Sequence, residues 1–160
     1  REQPSARFDV AAAIAKTVNL VQASFQTAGI ALSLKLEPGG LIQGSVNEFS
    51  QVILNLFNNA RDVLVERDIA TPEISVSMQL GDGRIMVTVE DNAGGISEEI
   101  SGKIFDPYFT TKHKSQGVGL GLYMSKMIIE GKMGGSIDVV NTSGGACFQL
   151  VLPATPAPAV

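Results

Sequence analysis

Three short groups of residues have types and spacings that could do chemistry. The first is Asn55, Asn59 and Asp62. On a helix, positions i and i+4 share a face, and Asp62 continues the same stripe. Asn and Asp are mediocre helix formers, so a helix carries them there at some cost. Such a row of oxygen donors suits a hydrated Mg²⁺, which takes few protein ligands and keeps waters and phosphates for the rest. A solvated polar face is the plainer alternative. The second group, Asp91-Asn92-Ala93-Gly94-Gly95-Ile96, directly follows an alternating apolar run. It reads as a turn, in which Asn tolerates positive φ. It also reads as a pocket floor, where the Asp91 carboxylate accepts a hydrogen bond from an exocyclic amine and Gly95 lets a flat base approach the backbone. A hydrogen bond to a charged group contributes about 1.5–3 kcal/mol. The third group, Gly117-Val118-Gly119-Leu120-Gly121-Leu122, opens a helix. Exposed N–H groups at the positive end of a helix suit phosphate, with a flexible loop as the alternative.

Neither familiar glycine fingerprint fits this third group. A dinucleotide motif needs glycine where Leu122 stands and a strand where His113 to Gln116 lie, and no phosphate-loop Gly-Lys-Ser/Thr pattern occurs in the chain. Between the second and third groups lies Ile104 to Lys112. Phe105 and Phe109 suit plugs in a core beneath a loop. As one unit, the aromatics anchor a lid while Thr110, Thr111 and Lys112 face phosphate. His113 is the only histidine and has no adjacent acid, so it reads as a surface residue. One histidine and one cysteine cannot build a zinc site, and no Ser-His-Asp or Cys-His nucleophile pattern is present. Cys147 sits in an apolar run and reads as a small core residue.

These groups need elements to position them. Val10, Ile14, Val18, Val21 and Phe25 recur at helical spacing between Asp9 and Ala28, with Gly29 as the stop. Ile30 to Leu36 alternates as a strand, and Pro38-Gly39-Gly40 is a turn. Ser45-x-x-Glu48 forms a capping box that starts a helix running to about Arg67, with Phe49, Val52, Ile53, Leu56, Phe57, Ala60, Val63 and Leu64 as its buried stripe. Ile74–Leu80 and Arg84–Glu90 are strands around a Gly81-Asp82-Gly83 hairpin. Residues 91–116 show little periodicity. A helix near Gly117 or Leu120 reaches Glu130, and Ser136–Asn141 and Ala146–Leu152 form a last hairpin. The expected fold is α+β: a two-layer α/β sandwich with a mixed, mostly antiparallel sheet and three main helices on one face. The ligand-binding domain is expected over residues 9–152. Residues 1–8 are expected as a loose lead-in from an upstream helical domain, and residues 153–160 as a disordered tail.

The chain has 160 residues, a net charge of −4 and a pI near 4.9. That length suits one domain, and the acidic balance argues against a nucleic-acid surface. The single cysteine excludes an internal disulfide and fits a reducing compartment; a cytoplasmic location is expected, for a parent protein that can itself be membrane-anchored. No apolar run approaches the ~20 residues of a membrane span, and no direct membrane contact is expected.

Taken in order, the segments resemble the four boxes of the sensor histidine kinase catalytic domain, a branch of the GHKL or Bergerat-fold superfamily that also holds gyrase-type, chaperone and mismatch-repair ATPases. Gln51 to Ala60 resembles its N box, Val89 to Ile96 its G1 box, Ile104 to Lys112 its F box and Gln116 to Leu122 its G2 box. The resemblance implies that Asn59 coordinates Mg²⁺ and that Asn55 supports the triphosphate side. It implies that Asp91 binds the adenine amine beside Gly95 and Ile96. It implies that the amides of Gly117, Gly119, Leu120, Gly121 and Leu122 hold phosphates, and that residues 105–116, including Phe109, Thr110, Thr111 and Lys112, form a mobile ATP lid. The implied function is binding Mg-ATP and presenting its γ-phosphate to a histidine on a dimerisation domain of the same parent chain, with a response regulator as the downstream partner. Asn55 stands where the ATPase branch keeps a general-base Glu, and a neutral amide cannot take a proton from water. A hydrolytic ATPase and a non-catalytic nucleotide-binding module are the alternatives. Three departures stand out. Ala93 replaces the first glycine of the usual G1 pattern. Asp62 stands where many kinases place a basic residue, with Arg61 or Lys112 as substitutes. No His-Glu or His-Asp motif precedes residue 9, so the chain by itself is expected to bind nucleotide without autophosphorylating.

Overall fold

Apolar spacing and end signals set the first helix, α1 (Val10–Thr27), whose N-cap Asp9 accepts a hydrogen bond from the Ala12 amide at 3.0 Å. The structure is a computed structural model describing residues 4–109 and 120–156. Ahead of α1, Ala6–Asp9 forms β1, which pairs antiparallel with β3 (Leu41–Gly44). This segment was expected to be loose. It is ordered because β3 supplies its backbone partners and the Phe8 ring packs 5.6 Å from that of Phe49. The C-terminal stretch is likewise held through residue 156: the amides of Ala154 and Thr155 donate to Gly83 O and Leu41 O, and the Arg7 guanidinium donates to Pro156 O.

The main sheet has five strands in the order β2-β4-β5-β7-β6, where β2 is Ala31–Leu36, β4 Glu73–Gly81, β5 Arg84–Asp91, β6 Ser136–Asn141 and β7 Ala146–Pro153. Three of its pairings are antiparallel. The fourth, β2 with β4, is parallel and spans a crossover that contains α2 (Val46–Glu66). The turn after β2 leads the chain away to β3. Gly40 sits in that turn, where a Cβ would lie 2.8 Å from Met78 Cε, so a larger residue would have to push the ends of the Met78, Leu80 and Ile85 side chains aside. The β4–β5 turn places Asp82 and Gly83 at φ of 52° and 72°, the backbone of a tight two-residue hairpin.

Period-two alternation turns Ile74, Val76, Met78, Ile85, Val87, Val89, Leu150 and Leu152 onto one buried face. Against it lie α1, α2 and α4 (Gly121–Lys126), so the two-layer α+β sandwich is the architecture observed. Ser45 Oγ accepts from the Glu48 amide at 3.1 Å at the start of α2, while the Glu48 carboxylate reaches Lys132 at 2.6 Å. Besides β1, two features escaped the sequence. One is a single helical turn, α3 (Glu98–Ser101), too short to show periodicity. The other is a π-helical turn over Met127–Lys132 that extends α4, with Ile128 and Ile129, adjacent in sequence, both buried across it. Among the described residues no helix is long and apolar enough to cross a membrane.

Phe57 is fully buried and meets Phe25 edge-on at 6.3 Å between α1 and α2. In urea unfolding, Phe57→Ala should cost about 3–5 kcal/mol, against about 1 kcal/mol for loss of the α2 cap in Ser45→Ala. Equal costs for the two would show that the core between α1 and α2 is not where stability resides.

Candidate functional site

The amphipathic pattern of α2 buries Phe49, Val52, Ile53, Leu56, Phe57, Ala60 and Leu64, which leaves Asn55, Asn59 and Asp62 half-buried on its flank. Asn55 is held on both sides of its amide. Gln51 Nε2 donates to its Oδ1 at 3.1 Å, and its Nδ2 donates to Gly121 O and Ser125 Oγ, each at 3.3 Å. Ser125 is fully buried and donates in turn to Gly121 O at 2.9 Å. Asn55 therefore ties the middle of α2 to the first turn of α4. Asn59 stands one turn further along the same face. Asp62 pairs with Arg61 at 3.1 Å, so the polar row is not simply hydrated.

Asp91 ends β5 and is 91% buried by its 9% relative exposure. Its Oδ1 accepts from the amides of Ala93 at 2.9 Å and Ala146 at 3.3 Å, one from its own loop and one from β7. The loop it starts is gripped by side chains from three directions. Asn92 accepts from the Glu73 amide and donates to Thr71 O, both at 2.8 Å. Arg67, the C-cap of α2, donates to Ala93 O at 2.7 Å and Gly95 O at 2.8 Å. Asn141, the last residue of β6, accepts from the Ile96 amide at 2.8 Å and donates to Ile96 O at 2.7 Å. Gly94 and Gly95 sit at φ of 99° and 89°, which favours glycine. A Cβ on Gly95 would lie 2.9 Å from Asn141 Oδ1, so packing within the protein by itself requires glycine there.

Ile104 is buried, and Phe105 lies edge-on to Phe148 at 6.2 Å with Lys126 Nζ 5.3 Å above its ring centre. Phe109, Ile96 and Leu122 pack partly buried against the core. Leu120 immediately precedes α4 and accepts from the Met124 amide at 2.8 Å. Asn55, Asn59, Asp91, Gly95, Ile96, Leu120, Gly121 and Leu122 thus lie on α2 or on the two elements packed against it, β5 with its loop and α4. Thr110, Thr111, Lys112, His113, Gly117 and Gly119 lie outside the described residues. Sequence reasoning missed Arg67, Ser125, Asn141 and Gly145. Only Gly145 carried a signal, as part of a Gly-Gly turn, and its closeness to Asp91 is a tertiary fact.

Cys147 is buried on β7, and its thiol is pushed up from the ordinary range, first by burial and then by the charges of Glu90 and Asp91, against a hydrogen bond with Gln149 that lowers it. The folded chain therefore holds this proton to higher pH than the unfolded chain does. The resulting stability is present below the unfolded thiol value near ~8.5 and is lost as pH rises through the folded one. The stability difference between wild type and Cys147→Ala should therefore shrink between neutral and strongly alkaline pH, and thiol alkylation should be far slower in native than in unfolded protein. Equal alkylation rates would contradict this.

Gly145 is the tightest point of the site: a Cβ there would collide with the Asp91 carbonyl oxygen and lie 2.8 Å from its Oδ1. Gly145→Ala should cost about 3 kcal/mol or more. Gly144→Ala, where no atom lies within 4 Å, should stay near wild type in the same thermal melts. Near-neutral behaviour of both would refute the packing at Asp91.

Residues 44–156 match the family model described as histidine kinase-, DNA gyrase B-, and HSP90-like ATPase. The two-component sensor PprA of Pseudomonas aeruginosa is 37% identical over 126 residues, which is 74% of this chain and 13% of that protein. The sensor histidine kinase ZraS of Klebsiella oxytoca is 34% identical over 147 residues, 91% of this chain and 30% of that protein. The chain therefore spans less than a third of the length of these curated relatives. Among solved structures, a nucleotide-free form of the catalytic domain of the histidine kinase ThkA superposes with a TM-score of 0.84 at 28% identity, covering 96% of this chain and 98% of that one. With the fold, the order of the segments and these likenesses in agreement, the chain belongs to the histidine kinase-, DNA gyrase B-, and HSP90-like ATPase family, as an ATP-binding catalytic domain of the histidine kinase type.

Proposed function

We propose that this domain binds Mg-ATP between α2, the loop after β5 and the start of α4, and presents the γ-phosphate to a histidine on a dimerisation domain of the same parent chain. The observation that carries this reading is Asp91. It is a buried carboxylate whose two hydrogen bonds among the described residues both go to Oδ1, and this reading gives Oδ2 to the adenine amine. Gly95 and Ile96 then flank the base. The amides of Leu120, Gly121 and Leu122, together with Gly117 and Gly119, take the phosphates at the positive end of α4. Phe109, Thr110, Thr111 and Lys112 are the further residues this reading gives to the nucleotide, with Lys112 neutralising phosphate charge.

Asn59 is the proposed Mg²⁺ ligand. Among the described residues no group of three or more His, Cys, Asp or Glu could hold a metal, and a carboxamide on the flank of α2 fits an ion held mainly by phosphates and water. The ion would supply charge neutralisation across the phosphate oxygens. Asn55, its amide held by Gln51 and the first turn of α4, lacks a basic group to activate water, which favours transfer over hydrolysis. Positioning and electrostatics are the protein's contribution to such a transfer. ThkA, the neighbour with the same fold, has been crystallised with the response regulator TrrA. A response regulator is the downstream partner proposed for the full kinase here, in the cytoplasm, without a nucleic-acid partner.

Asp91→Asn is a sharp test, because it keeps Oδ1 for the Ala93 and Ala146 amides and places an N–H₂ where the adenine amine needs an acceptor. ATP affinity by titration calorimetry should fall about a hundredfold with the circular dichroism spectrum unchanged. Retained affinity would end the adenine assignment. Asn59→Asp should shift the Mg²⁺ requirement more than the affinity for metal-free nucleotide.

A further inference from the structure

We propose that Arg67 and Asn141 are positioning residues for base recognition, acting through the backbone of residues 93–96. This rests on the nucleotide reading of Asp91. Two consecutive glycines in the left-handed region make a backbone segment with more freedom to lose than any other pair of residues, so its conformation must be imposed from outside. Arg67 does this from one side: a single nitrogen, Nη1, bridges the carbonyls of Ala93 and Gly95, and it lies 3.5 Å from where a Cβ on Gly94 would be. Asn141 does it from the other. Its carboxamide meets both backbone groups of Ile96, as a neighbouring strand would, and so ties the segment to the end of β6. The Gly94 amide donates to Gly144 O at 3.1 Å, which closes the segment against the β6–β7 turn.

The two residues come from elements with different duties. Arg67 caps the helix that carries Asn55 and Asn59, eight residues beyond Asn59 and so roughly 12 Å along the axis at 1.5 Å per residue. Asn141 belongs to the hairpin whose Ala146 amide holds Asp91 Oδ1. Together they lock the base-reading loop to α2 and to the β6–β7 hairpin at once. The direction of Asp91 Oδ2, and hence the choice between an amine at the adenine position and the carbonyl of guanine, depends on that lock.

Calorimetric titration of the chain with Mg-ATP, Mg-GTP and adenosine tests this in wild type, Arg67→Met, Arg67→Lys and Asn141→Ala. Arg67→Met and Asn141→Ala should each weaken ATP and adenosine by the same factor, on the order of tenfold. They should narrow the ATP-to-GTP ratio and leave the Mg²⁺ dependence of binding unchanged. Arg67→Lys, which keeps a multiple donor, should recover most of the loss. A residue with only a structural role would lower the melting temperature without moving base discrimination, and that result would overturn the proposal, as would wild-type adenosine affinity in both variants. Should Arg67→Met fail to fold, Asn141→Ala and Arg67→Lys carry the same comparison. Wild-type protein without affinity for adenosine or ATP would instead refute the nucleotide reading itself.

Discussion

A buried carboxylate is costly unless donors meet it, and the way Asp91 is met organises the whole site. Its Oδ1 takes an amide from its own loop and another from β7, so β5, the loop after it and the last hairpin converge on one oxygen atom. Gly145 must lack a side chain for this to happen. The sheet order follows the same constraint: β7 lies directly beside β5, which puts the β6–β7 turn over the end of β5, where the carboxylate sits.

The second organising part is α2. Its apolar stripe is the centre of the core, its flank carries the carboxamides, and its last turn clamps the glycine loop. Because one rigid helix holds Asn55 against α4 and Arg67 against the Asp91 loop, the two ends of the site have a fixed spacing. The crossover between the parallel strands β2 and β4 contains this helix, which packs against β5 in the middle of the sheet.

Much of this was legible in the residues. The capping signal at Ser45, the spacing of Val10 to Phe25, the alternation in β4 and β5 and the glycine-bearing turns each report local preferences that the tertiary structure does not override. The order of the chemically suggestive segments also pointed to one family. Less legible were β1, whose order comes from pairing with β3 and from Phe8 meeting Phe49, and the π-helical turn, whose widening goes with packing adjacent isoleucines. Gly95 read as room for a base, yet Asn141 already occupies the place where its side chain would go.

By itself the sequence determined the longer helices and strands of the core, which face of each is apolar, and which polar residues stand out of pattern, because periodicity, caps and turns are set by neighbours a few positions apart. Only the tertiary structure decided that Asn55 bonds to a residue 66 positions away, that Arg67 reaches across 28 positions to Gly95, and that Asn141 reaches back 45 positions to Ile96. Those contacts depend on how strands cross and pair over long loops. No local preference encodes that geometry.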